Sequence, residues 1–315
     1  MLPQTDSEFE RLYESKIAPD LPRLREECKR ADVWKLIIVL CILFGAGAFI
    51  AYYDEVLNGA TAGWLIALFI VGVVISVYQY AQQNDKFTNA YKAAVIKTMM
   101  DEICPGLTYE PDECIPSKEY RSSSLYRIKF DYYDGNDLIT GTINGVSFHC
   151  SDLHVQCDFK FNQQRTIFKG LFFAVKIDPT FSGGTYIKSR GGNSFEYEEM
   201  EQWCDQYQMP RVTPIQFSDD NFTKYFRVNT TWPSQAEQIL SDTMRGKMVE
   251  LRLKFGTAIA FSFAAGKCYI AIPLKYDLLE PTAYDPGDKE ELRKYFLTLK
   301  VIPEIIRTLP FEEIR

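Results

Sequence analysis

Two apolar runs dominate the hydrophobic pattern of the chain. Leu36 to Tyr53 contains no charged residue, and after the polar break Asp54-Glu55-Val56-Leu57-Asn58-Gly59 a second uncharged run extends from Ala60 to Tyr80. A hydrocarbon core about 30 Å thick needs about 20 apolar residues at 1.5 Å rise, and both runs reach that length. Backbone polar groups inside a bilayer must pair within their own segment, so both runs are expected to be helices. Trp34, Tyr52, Tyr53, Trp64, Tyr78 and Tyr80 lie near their ends, where amphipathic rings prefer the interface. A helical hairpin in a soluble core would carry a polar stripe, which neither run has. A cleaved leader fits worse still, because the first 33 residues are polar and acidic as well as basic and the apolar run starts late.

Lys and Arg near the run ends orient the hairpin. Arg23, Arg25, Lys29, Arg30 and Lys35 precede it, Lys86, Lys92 and Lys97 follow it, and the connecting loop holds only Asp54 and Glu55. The excess of positive residues on the cytoplasmic side places both termini of a multi-pass membrane protein in the cytoplasm and the loop outside.

The flanking patterns are shorter. Residues 7 to 31 read as a helix broken near Pro19 and Pro22, with Phe9, Leu12, Tyr13 and Ile17 on one face, expected to dock rather than to lie on the membrane. From Gln82 to Cys104, Phe87, Tyr91, Val95 and Met99 recur at every fourth position, as in a helical stalk that ends before Pro105-Gly106. From Leu107 onward the alternation is strand-like. Tyr126 to Tyr132 alternates, Asp134-Gly135-Asn136-Asp137 reads as a turn, and Asn144-Gly145 joins two strands as a type I′ hairpin. His154 to Phe161 and Arg165 to Ile177 continue the series, with Phe168 to Phe173 as a central strand. Gly183-Gly184 and Gly191-Gly192 bound an expected mobile loop before a short helix, Tyr197 to Tyr207.

Tyr225 to Val228 reads as a strand. One helix is expected from Ser234 through Leu240, Met244, Met248, Leu251 and Phe255, closed by Gly256. Thr257 to Phe263 and Lys267 to Pro273 form a closing hairpin. Asp288 and Glu291 suit a capping box for a last helix to Leu309, with Leu292, Tyr295, Leu299, Ile302, Ile306 and Leu309 on one face and a kink at Pro303. The expected class is α+β: a two-helix transmembrane hairpin, then a mostly antiparallel sheet with packing helices, an order compatible with a pleckstrin-homology-like domain. The expected divisions are 1–33 (N-terminal helix), 34–80 (hairpin), 81–106 (stalk), 107–281 (cytoplasmic domain) and 282–315 (C-terminal helix).

Composition narrows the function classes. The 315 residues carry 35 Lys and Arg against 42 Asp and Glu, a net charge of −7 that argues against non-specific nucleic-acid binding. Cys28, Cys104, Cys114, Cys150, Cys157, Cys204 and Cys268 are scattered without CxxC pairs, as expected in a reducing compartment.

The hairpin followed by Phe168-Lys169-Gly170-Leu171-Phe172-Phe173, Phe222-Thr-Lys-Tyr-Phe226-Arg-Val228, Gln235-Ala236-Glu237-Gln238-Ile239-Leu240 with Met244, and Ser262-Phe263 leading to Tyr269-Ile-Ala-Ile272 resembles a bacterial membrane family, catalogued as domain of unknown function three-one-three-seven. Where that family usually has an Arg before Ile-Leu, this chain places Glu237. The resemblance implies a bacterial host, a membrane location and no established activity.

Chemistry-bearing residues are few. His149-Cys150-Ser151-Asp152-Leu153-His154-Val155-Gln156-Cys157 holds both histidines and two cysteines, the residue types zinc takes. Successive residues of a strand point to opposite faces, so His149, Cys150, His154 and Cys157 could converge only around a sharp bend at Ser151-Asp152. The expectation is strand ends with surface histidines and small buried thiols, with no metal and no cofactor. A Ser-His-Asp or Cys-His arrangement would also have to use one of these histidines, and no nucleophile-elbow pattern occurs. The Gly pairs lack the order of a phosphate loop. Glu196, Glu198, Glu199, Glu201, Asp219 and Asp220 read as solvated faces. Small residues at Gly45, Gly47, Ala51, Gly72 and Ser76 would let the membrane helices pack closely. The function expected is a membrane-anchored binding or scaffolding domain with a protein partner or self-association; the alternative is a metal-dependent hydrolase built on His149 to Cys157.

Overall fold

Pro22 lacks a backbone N–H and so suits the first turn of a helix, where that group has no partner. In the computed structural model α1 (Pro3–Leu12) passes through a π turn, Tyr13–Ile17, and a 3₁₀ turn, Ala18–Asp20, before α2 (Leu21–Tyr53) begins beside Pro22. The structure describes residues 3–56, 58–177, 183–191, 199–202, 204–208, 210–275, 278–281 and 285–314. Two compact units divide them: 1–102 with 279–296, and 103–278 with 297–315.

In the first unit the Asn58 side chain caps α3 (Gly59–Tyr91) by accepting from Thr61 N at 2.9 Å. A π segment, Lys92–Ile96, leads into α4 (Lys97–Ile103). Phe87, Tyr91, Val95 and Met99, the stalk face expected from the sequence, are all buried. Helices α2 and α3 touch through small residues. A Cβ on Gly45 would stand 2.8 Å from the Phe69 ring, and one on Gly72 3.4 Å from Cys41 Sγ, whereas Gly47 faces open space. The remaining apolar side chains turn outward, with Leu43 62% and Trp64 79% exposed. Both helices are long and apolar enough to cross a membrane, with mean hydropathy 2.4 and 11% of the apolar window buried. A soluble core helix hides such a face; here it stays exposed.

Among the described residues the second unit is built on nine antiparallel strands in the order β1-β2-β3-β4-β9-β8-β5-β7-β6. After β1 (Thr108–Glu110) and α5 (Ser117–Ser122), β2 (Tyr132–Ile143) and β3 (Val146–Phe159) form the expected hairpin, with Asn144 and Gly145 at φ 49° and 75°. Two sequence expectations fail nearby. Asp134 to Asp137 lies within β2 and not in a turn. The register jumps between Asn136 and Ile139, and Asp137 takes φ 57° in the resulting bulge. Turn-favouring residues serve equally well where a strand must bulge. The alternating stretch from Tyr126 makes a single bridge, Ile128 to Gln206, and joins a strand only at Tyr132, because its apolar side chains are spent covering the sheet.

Strand β4 (Gln163–Lys176) holds the Phe168–Phe173 segment at the middle of the sheet. Gly170 sits there at φ +137°, and a Cβ would meet Ile272 O at 2.3 Å. Then come β5 (Thr185–Ser189), the described part of α6 (199–202), β6 (Thr213–Ile215), α7 (Asp220–Tyr225) and β7 (Phe226–Thr230). Residues 197, 198 and 203 of the expected Tyr197–Tyr207 helix lie outside the described residues, as do Gly192, Glu196 and Glu198. The helix expected from Ser234 to Phe255 is two helices, α8 (Pro233–Ile239) and α9 (Asp242–Phe255). Leu240 leaves the helical conformation at ψ 57°, and Ser241 accepts from Met244 N at 3.2 Å to cap α9. Periodicity ran through the break because Leu240 and Met244 are buried on both sides of it. Gly256 ends α9 in the left-handed region, as expected. Strands β8 (Ala260–Ala264) and β9 (Lys267–Pro273) close the sheet around Ala265 and Gly266. Both faces are apolar: Phe172, Ala174, Tyr269 and Ala271 belong to one core cluster, while Phe173, Ile270 and Phe261, their neighbours in register, are equally buried.

Asp288 caps α10 (Lys289–Thr308), accepting from Glu291 N at 3.3 Å, and the helix continues through Pro303. Its expected stripe, Leu292 to Leu309, is buried. Within the first unit, residues 279–296 meet the N-terminal helices: Glu10 accepts from Lys289 and Arg293, Phe9 packs 5.7 Å from Phe296, and Arg25 Nε donates to Asp285 Oδ1 at 3.0 Å.

Candidate functional site

Strand β3 stays in register with β4 through Ser151 and Asp152, the pairing shifting once between Val155 and Gln156. That pairing keeps the four residues considered for metal apart. His149 and Cys157 lie eight residues apart, about 26 Å along a strand. Cys150 is fully buried on the face opposite His149. His154 Nε2 is 3.3 Å from Thr166 Oγ1 of β4. Among the described residues no group of three or more His, Cys, Asp or Glu is placed to hold a metal ion.

What the strand does assemble is a charged cluster under α5. His149 pairs in register with Ala174, and Ala174 with Tyr269, so His149 shares a sheet face with Lys267, two residues along β9. Glu119 of α5 bridges them: its Oε2 lies 3.0 Å from His149 Nε2, and its Oε1 accepts from Lys267 Nζ. Burial works to raise the Glu119 pKa, but the close contacts with His149 and Lys267 outweigh it and hold the carboxyl down to about 2. Ile115 N donates to Ser151 Oγ at 3.1 Å, Ser262 Oγ donates to Ser123 O at 2.7 Å, and Tyr120 packs 5.3 Å from Phe172. The cluster therefore fastens residues 115–123 to the sheet. Among the described residues no Ser, Thr or Cys hydroxyl or thiol hydrogen-bonds His149, so no nucleophile–base pair forms there.

Cys157 meets Cys204 at 3.5 Å between sulfurs, and burial, aided by that contact, pushes the Cys157 thiol up to about 12. The Gly183-Gly184 end of the expected mobile loop is pinned. Gly184 N donates to Thr231 Oγ1 at 2.8 Å and Gly183 N to Gln235 Oε1 at 3.1 Å. Glu199 lies 3.7 Å from Lys160 Nζ, and Asp219 caps α7 by accepting from Phe222 N at 3.1 Å. Asp219 is thus structural rather than merely solvated.

A concave surface lies elsewhere, at the β6 edge. A groove of about 680 Å³ is lined by Ile215, Phe217, Phe222, Arg190, Lys224 and Arg227, among others. Sequence reading missed it because Arg190, Lys224 and Arg227 come from three separate elements. The only hint was Arg227 at an outward position of β7 between buried Phe226 and Val228.

Together these features define an α+β protein with two membrane-competent helices and no assembled catalytic constellation among its described residues. Residues 166–310 match the family model described as a protein of unknown function, DUF3137, which bears out the resemblance drawn from the sequence. No curated protein matches the chain. Among solved structures, the crystal structure of the mycobacterial trehalose monomycolate transport factor A, TtfA, is similar over 69% of this chain and 94% of that one, at 10% identity and a TM-score of 0.34.

Proposed function

We propose that this chain is a membrane-anchored, non-catalytic binding or scaffolding protein, with α2 and α3 crossing the bacterial inner membrane as a hairpin and both termini in the cytoplasm. The observation that carries the reading is the outward apolar surface of both helices, of which 11% is buried. Lys and Arg flanking the hairpin outside the Asp54-Glu55 loop support the orientation. The polar groove at the β6 edge is the surface on which a protein partner would act, while Glu119, His149 and Lys267 serve the fold.

Fractionation tests the anchor. The full chain should stay in the membrane pellet through an alkaline carbonate wash and leave it with detergent. Protease added to spheroplasts should spare the part following Ala81. Recovery in the detergent-free supernatant overturns the anchor; digestion of the C-terminal part by external protease overturns the orientation.

A further inference from the structure

Two cysteines far apart in the sequence meet in the second unit. Cys157 of β3 and Cys204, which follows α6, are 47 positions apart, yet their Sγ atoms lie 3.5 Å from each other. Both are free thiols. Cys157 is 1% exposed and belongs to the core cluster that holds Val155 and Phe168. Cys204 packs against that cluster from outside and keeps part of its surface open to water.

Backbone pairing holds the sulfurs there. Lys129 N donates to Asp205 O and Tyr207 N to Arg127 O, both at 2.8 Å, and Ile128 bridges Gln206. These bonds lay the segment after α6 along residues 127–129. Cys204 N donates to Met200 O at 2.9 Å, which ties the cysteine to α6. Cys157 is set by the pairing of β3 with β4, opposite Arg165. Joining the two side chains would bring sulfurs already in contact to a bonding distance of about 2 Å.

The thiols differ in access, and that difference orders the chemistry. A water-borne oxidant reaches half-buried Cys204 first, while Cys157 is enclosed and burial pushes its thiol up. A high-pKa thiolate is scarce at neutral pH but strongly nucleophilic once formed, and the sulfur it would attack is already beside it. Hydrogen peroxide balances the reaction. Cys204 Sγ attacks one peroxide oxygen, the O–O bond breaks, and a sulfenic acid and one water result. Cys157 Sγ then attacks Cys204 Sγ; the S–S bond forms, the S–O bond breaks, and the departing hydroxide leaves as water with the Cys157 proton. Two thiols give up two electrons and two protons in total, and the peroxide accepts them. A dithiol reductant reverses the step by exchange.

We infer that Cys157 and Cys204 form a redox modification site, in which a peroxide oxidises Cys204 and Cys157 resolves it to an intramolecular disulfide that a dithiol reductant reopens. Disulfides of a reducing compartment are characteristically of this transient kind. The bond would fasten α6 and the segment after it to the β3–β4 hairpin, where Lys160 Nζ lies 3.7 Å from Glu199 Oε1. The chemistry depends on neither the binding reading nor the membrane placement.

Thiol mapping of the folded full chain in neutral detergent micelles tests it. The reduced protein is freed of reductant, treated with hydrogen peroxide, blocked with N-ethylmaleimide and digested without reduction for mass spectrometry. A peptide pair joined through Cys157 and Cys204 should form and be lost on treatment with dithiothreitol, while Cys150 and Cys268, both fully buried, stay thiols. In Cys157→Ala, Cys204 should stop at a sulfenic acid that dimedone traps; in Cys204→Ala, Cys157 should remain a thiol. The oxidised parent should melt above the reduced one, since the link constrains the unfolded chain, and Cys204→Ala should lose that shift. Recovery of both cysteines as maleimide adducts overturns the inference. So does Cys204 advancing to a sulfinic acid beside an intact Cys157 thiol, or a bond that joins two chains. The mapping of the parent chain needs no variant, so it decides the matter even where Cys157→Ala does not fold.

Discussion

Lys92 Nζ lies 2.7 Å from Glu280 Oε1, and the lysine side chain is only 3% exposed. Lys92 opens the π segment after α3, and Glu280 precedes the last helix, so the pair joins distant parts of the chain within the first unit. Tyr295 OH donates to the Glu280 carbonyl and, at 2.6 Å, to Glu291 Oε1, which holds the acid's backbone in place. Removing one partner of a buried pair strands the other charge. Glu280→Gln should cost about 2 kcal/mol, below the fully buried range of about 3–5 kcal/mol because Glu280 is partly exposed. Lys92→Met should cost less, since it leaves the charge on the more exposed side. Thermal unfolding in detergent reads both, and equal melting of Glu280→Gln and the parent chain would refute the role.

Glu119 makes the second unit acid-sensitive. Its pKa is lowered from 4.5 to about 2, so its stabilising effect is fully present above pH 4.5 and is lost as pH falls toward 2. Allowing for solvent screening, the loss is on the order of 1–2 kcal/mol. Glu119→Gln should be less stable at neutral pH and show a flatter decline between pH 5 and 2 in chemical denaturation. Parallel pH curves for the two proteins would contradict this.

Gly170 admits no side chain. At φ +137° a Cβ would approach Ile272 O at 2.3 Å and Leu274 N at 2.6 Å, both backbone atoms that cannot turn aside. Gly170→Ala should therefore lower stability by about 3 kcal/mol or more, from strain and from forced separation of β4 and β9. Yield of detergent-extracted protein and its melting temperature would show it, and a near-parental melting point would be the contrary result.

The cysteines should divide by reactivity. Cys150 and Cys268 are fully buried and their thiols are raised by burial, so a maleimide at neutral pH should spare them in the folded chain. Cys204, half-buried, should be labelled ahead of Cys157, and unfolding should expose all of them. Mass mapping of labelled peptides measures this; early modification of Cys150 would be inconsistent with the fold.

Local signals were read directly where a residue's own chemistry decides its conformation. Asn144-Gly145, Gly256 and Asp288 take the conformations their sequence implies, and the uncharged runs form helices long and apolar enough to cross a membrane. Where two outcomes share the same residues, the reading went astray. Asp134 to Asp137 became a bulge, and Leu240 to Ser241 divided one expected helix into two. The candidate metal segment does not converge because β3 stays in register with β4 through Ser151 and Asp152, where a sharp bend was needed.

The amino-acid order by itself determined the two membrane-competent helices, the α+β class and most turn positions, since hydrophobic periodicity and positive-φ residues act over a few neighbours. Only the tertiary structure decided that Glu119 would meet His149 and Lys267, that Lys92 would meet Glu280, and that Arg190, Lys224 and Arg227 would share one groove. Those encounters depend on strand order and register, and a charge carries no mark in sequence of which distant partner the sheet will bring to it.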